Sequence, residues 1–234
     1  MSRDKSQETS EPLNLLTSEP QIIPFTLLTF PMSSLPPPAQ VRWSPNVILV
    51  DADYIDRVAF HLVVNFERML GRRIPPADLP HWLDCIALDG GLRPGDNDVQ
   101  VVLFHSKGVE RMQHFSPADF TKELDGVAFK DNLGEFTLQS VEVEDLTSTM
   151  DLLKESIELM AQSETVQRVM VVADMEGDAS ALLKVIVDTE EKKKAFILFG
   201  MQPLAPAKSY TTEILGYSLM AALGISGDEV AGRM

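Results

Sequence analysis

Apolar positions along the chain fall into two periods. Apolar stretches rich in β-branched residues lie within residues 46–53 (NVILVDAD, where Val47–Val50 run unbroken into Asp51), 98–105 (DVQVVLFH), 169–173 (VMVVA) and 195–199 (AFILF). Runs of this length and type predict strands buried on both faces. Residues 136–143 (FTLQSVEV) alternate instead, which predicts a strand with one wetter face near a sheet edge. Between these runs the period lengthens. Val58, Leu62, Phe66 and Met69 recur at helical spacing, and Gly71 supplies a stop, so residues 54–70 read as a helix. Residues 75–88, 147–161, 179–187 and 209–223 read the same way, with Trp82 and Ile86, Met150, Leu153, Ile157 and Met160, and Ile214, Leu215, Leu219, Met220 and Leu223 on their apolar faces. Ser116-Pro117-Ala118-Asp119 predicts the start of a short helix, with Pro at its first position. Residues 89–97 (DGGLRPGDN) read as a turn.

Strands alternating with helices predict an α/β domain over residues 46–200: three layers, α/β/α, around a mostly parallel five-stranded sheet with right-handed crossovers. Residues 1–45 read as an irregular Pro/Ser-rich arm. Pro36, Pro37 and Pro38 bar helix there, and residues 22–32 (IIPFTLLTFPM) carry an apolar patch that a pure linker does not need. Residues 201–234 read as a C-terminal helix and tail. Arm and helix each offer a contact for a homo-oligomer.

Composition narrows the partners. The formal net charge is −15 over 234 residues, which argues against broad electrostatic capture of nucleic acid. Cys85 is the one cysteine, so no internal disulfide forms. No run approaches the roughly 18 apolar residues of a membrane span, and the polar N-terminus has no signal-type apolar core. The expectation is a cytoplasmic, soluble protein.

Acids stand where strands should end. Asp51 and Asp53 close the first strand, Glu142, Glu144 and Asp145 the alternating one, and Asp174, Glu176 and Asp178 follow VMVVA, while Asp151 lies in the first turn of the helix at 147–161. In an open parallel sheet, ligands bind beyond the carboxyl ends of strands. Clustered carboxylates there repel one another, and a divalent cation among them relieves the repulsion; oxygen-only sets suit Mg²⁺ or Mn²⁺. A carboxylate at a helix start is also simply a cap, a reading that fits Asp151 and Asp178. Lys192-Lys193-Lys194 is a basic run before the last strand, either a solvated loop or a phosphate contact.

The order of these acids resembles the NYN branch of the PIN-like nuclease superfamily. LVDADY matches its first strand ending in Asp, TMDLLKESIELM its helix opening on Asp, and VMVVADMEGDASALLKVI its strand followed by an acid-rich turn and a helix; AFILFG fits its closing strand. Tyr54, Asp174, Met175 and Ala179 stand where the family has Asn, Ser, Gly and Phe. The resemblance spans about residues 46–200. It implies a metal-dependent ribonuclease, or a relative that has kept the fold and lost the activity, in which Asp51, Asp151, Glu176 and Asp178 hold Mg²⁺ or Mn²⁺, Asp53 and Asp174 support them, and RNA is the substrate. Two other readings stay open. Asp51-x-Asp53 at a strand end also resembles a haloacid-dehalogenase-like phosphatase, with a nucleophilic first Asp. A non-catalytic interaction protein fits the charge, the apolar arm and the amphipathic tail.

Overall fold

The computed structural model describes residues 42–177, 179–189 and 193–232. The arm at residues 1–41, Asp178 and Lys192 therefore lie outside the described residues. The fold is α/β. A seven-stranded sheet has the order β5-β6-β3-β1-β7-β8-β9, built from β1 (Asn46–Asp51), β3 (Asn97–Ser106), β5 (Ala128–Lys130), β6 (Gly134–Val143), β7 (Arg168–Val172), β8 (Ala195–Gly200) and β9 (Thr211–Ile214). All neighbours pair parallel except β5, which runs antiparallel along β6. Two-residue strands β2 (Ala77–Asp78) and β4 (Phe115–Ser116) pair separately.

Period-two alternation within each buried strand serves both faces. Ile48 and Val50 of β1 point to one core, shared with α1 (Ala52–Leu70), α2 (Leu79–Asp89) and α5 (Leu215–Ala222). Val47 and Leu49 point to the other, shared with α3 (Thr149–Gln162) and α4 (Ser180–Asp188). All four of these β1 residues are fully buried, as a central parallel strand covered on both sides requires.

The sheet has two more strands than the five expected. Both are short edge strands. Residues 128–130 (AFK) are too few to show a period, yet they pair with residues 135–137. At residues 209–223, read above as one helix, the β-branched Thr211, Thr212 and Ile214 extend to pair with β8, and the helix begins only at Leu215. Residues 134–143 alternate as an edge strand would but lie one place in from the edge, covered by β5. The Pro117 helix start fails too: the helical geometry that follows is a five-residue π-type turn at Phe120–Leu124, capped by Asp119.

The six parallel strands occupy the order third, second, first, fourth, fifth, sixth in chain sequence. The connections reverse direction between β1 and β7. That topological switch point is where an open sheet leaves a crevice beyond the carboxyl ends of its strands.

Candidate functional site at the β1–β7 switch point

The crevice is framed by two short connections. β1 runs directly into α1, with Asp51 as N-cap: its Oδ1 accepts from the Tyr54 amide at 2.9 Å. Ending a strand on Asp is what lets the chain turn into helix without a loop, because the side chain satisfies an otherwise orphaned amide. Asp53, in the first turn of α1, accepts through Oδ2 from the Ser106 amide at 2.8 Å and from the Ser106 hydroxyl at 2.5 Å, which ties α1 to the end of β3. Across the switch point, Asp174 follows β7 and closes a turn by accepting from the Glu176 and Gly177 amides, each at 3.2 Å. Its other oxygen takes the Arg57 guanidinium at 3.0 Å. Arg57 reaches over from α1, with its guanidinium carbon 5.5 Å from the Tyr54 ring centre.

Electrostatics ties these groups together. Burial pushes the Asp51 carboxyl up to about 6, against the Tyr54 amide, and the charges of Asp53 and Asp174 push the same way while Arg57 opposes them. Burial, together with Glu176 and Asp174, pushes the Tyr54 phenol up to about 12. Asp51, Asp53, Asp174 and Glu176 thus share one neighbourhood, with Arg57 as the cation within it.

Asp151 does not join them. It stands on the same edge, but α3 follows β6, which lies two strands from β1, or about 10 Å at the usual strand spacing. There it completes a capping box with Ser148 and pairs with Lys154 at 2.6 Å, which holds its carboxyl down at about 2. Glu142 and Asp145 are likewise spent locally, accepting from the Gly108 amide and from Lys107. His105 at the end of β3 is packed, stacked on Phe120 at 4.0 Å. Asp178 lies outside the described residues.

Sequence reading missed Arg57 and Ser106. Arg57 had a signal: it stands four residues after Asp53, on the helix face that the strand-end acids would share. Ser106 had none, since its role depends on β3 lying beside β1.

The donor set can be tested against a divalent ion. Among the described residues, no group of three or more His, Cys, Asp or Glu is gathered as a metal site needs. The reason is visible in the bonds. Both Asp174 oxygens and both Asp151 oxygens are engaged, and one oxygen each of Asp51 and Asp53 is committed to the backbone or to Ser106. The described carboxylates are thus not assembled as a metal centre, and Asp178 lies outside the described residues.

A family model described as "Family of unknown function (DUF6621)" matches residues 40–230. No curated protein and no solved structure matches the chain.

Proposed function

The chain belongs to this family of unknown function, and from that premise we propose that it is a PIN/NYN-like domain whose nuclease-type acid site has become non-hydrolytic, leaving a binding scaffold. The observation that carries the reading is the Arg57–Asp174 pair at 3.0 Å. It supplies from within the chain the positive charge that clustered carboxylates require. In the nuclease type this resembles, Mg²⁺ or Mn²⁺ at such a site would activate water on an RNA phosphodiester. Here a phosphodiester approaching the crevice meets Asp51, Asp53, Asp174 and Glu176 with one guanidinium, already paired, to offset them. The acids instead do structural work: Asp51 starts α1, Asp53 ties α1 to β3, and Asp174 shapes the turn after β7.

Incubation of the chain with an unstructured RNA and Mn²⁺, beside calorimetric Mn²⁺ titration, tests this. The expected result is no cleavage and no Mn²⁺ binding below millimolar concentration, with Mn²⁺ affinity appearing in Arg57→Ala as the acids lose their counter-charge. Cleavage by the unaltered chain that disappears in Asp51→Asn would establish a live ribonuclease instead. An aryl phosphate run in parallel separates the phosphatase reading, which needs Asp51 as nucleophile.

A further inference from the structure

The opposite, amino-terminal edge of the sheet carries a cationic cavity. A hollow of about 260 Å³ lies among the starts of β7, β8 and β9, lined by Arg168, Lys194, Lys208, Ser209, Thr211 and Gly90 among others, and none of its described lining residues is acidic. In a chain of net charge −15, Arg168 and Lys208 lining one hollow with no acid among its described lining residues is an arrangement that the protein's own composition does not favour. Arg168 has no ion pair with any described residue. Its guanidinium donates to Asn46 Oδ1 at 3.3 Å, and its Nε is buried with no hydrogen-bond partner. A buried donor left unmade is costly, and it leaves the Arg168 guanidinium without a neutralising partner among the described residues. Lys194 is fixed at the rim, donating to the Ser163 and Val166 carbonyls at 2.6 and 2.7 Å, so its charge is held in place. Ser209 and Thr211 bring hydroxyl donors.

We propose that this cavity binds a small phosphate-bearing anion, with Arg168 and Lys208 as its charged contacts and the Ser209 and Thr211 hydroxyls as neutral donors. Guanidinium and ammonium donors to phosphate make short, charge-assisted hydrogen bonds. The volume suits a phosphate head with a small substituent; it is below the range of pockets that enclose drug-sized molecules. Inorganic phosphate and a phosphomonoester share this chemistry. The site is independent of the switch-point reading, because it lies at the other end of five- and six-residue strands, roughly 17–20 Å away.

The full chain is titrated with inorganic phosphate and, separately, with phenyl phosphate, at ionic strength held constant with chloride, by calorimetry and amide NMR. Saturable binding is expected, with shifts at Arg168 and at residues 209–211. Tighter binding of phenyl phosphate identifies a phosphomonoester ligand, and equal binding identifies the phosphate group alone as what is recognised. Arg168→Met is expected to abolish binding. Because Arg168 also bonds Asn46, the exposed Lys208→Ala serves as a second variant, expected to weaken binding about tenfold or more. Absence of saturable binding overturns the proposal, as does unchanged affinity in Lys208→Ala. A single-stranded RNA that competes with phosphate and binds more tightly overturns the small-anion assignment.

Discussion

At the scale of single residues, Asp51 and Asp84 are carboxyls that burial pushes well up. Asp51 titrates near 6 in the folded chain against 3.8 as its ordinary value. A raised carboxyl makes the folded state the one that holds the proton more tightly. Its penalty is therefore absent below about pH 4, grows between 4 and 6, and is complete above 6. Asp51→Asn keeps the N-cap, since Asn caps as well as Asp, and removes the charge. It is expected to stabilise the chain by about 1–3 kcal/mol at pH 8, a gain that shrinks towards zero at pH 4; paired thermal melts at the two pH values check this. Asp84 behaves similarly at another place. Burial, and then the Asp131 carboxyl beside it, pushes it up to about 7. Asp131 Oδ1 already accepts from the Leu133 and Gly134 amides, while its Oδ2 and Asp84 Oδ1 are both buried without partners. One proton shared between them satisfies both. Asp84→Asn is expected to raise the melting temperature at pH 8 and to leave it near wild type at pH 4. These values were not legible in the sequence, because what raises them most is burial, joined by the approach of Asp174 to Asp51 and of Asp131 to Asp84 from far along the chain.

At the scale of elements, most boundaries were legible and most errors came at short or edge segments. The helix read at residues 54–70 begins at Ala52, two residues earlier, because Asp51 caps it directly; its stop at Gly71 is as read, and Gly71 takes the left-handed conformation at φ 68°. The helix read at residues 147–161 is α3, with its capping box. Ser148→Ala is expected to cost about 1 kcal/mol through the lost cap. Asp151→Ala should lower the denaturant midpoint and leave the Asp51 titration where it is, since its carboxyl belongs to α3 rather than to the crevice. The sheet has its own point of close approach. Gly134 opens β6 at φ 148°, and a Cβ there would come within 2.1 Å of the Asn97 carbonyl oxygen on β3. That is backbone against backbone, which no rotamer change relieves. Gly134→Ala is expected to destabilise by about 3 kcal/mol or more, read as a shifted denaturant midpoint. What the hydrophobic period could not supply was neighbourhood. Residues 128–130 and 211–214 become strands because β6 and β8 present open edges to them, and nothing local in AFK or TTEI announces that.

At the scale of the whole molecule, the sheet places acids at one end and a cationic cavity at the other. The convergence expected of the strand-end acids holds for Asp51, Asp53, Asp174 and Glu176 because β1 and β7 are neighbours at the point where the chain reverses its winding. It fails for Asp151 because β6 is two strands removed. The first group was legible once the strands were taken as parallel. The strand order was not, and it alone decides which strand ends meet. The Arg57–Asp174 pair is half-exposed, so its removal should change stability little, within about 1 kcal/mol. Its effect is on the charge balance of the crevice. The most direct test is the titration of the Asp51 side-chain carboxyl carbon by NMR in the unaltered chain, in Arg57→Ala and in Asp174→Asn. A midpoint near 6 that rises when Arg57 is removed and falls when Asp174 is neutralised is the predicted result. A midpoint near 4, indifferent to both substitutions, would mean that the acids do not share a site and that Arg57 is not their cation.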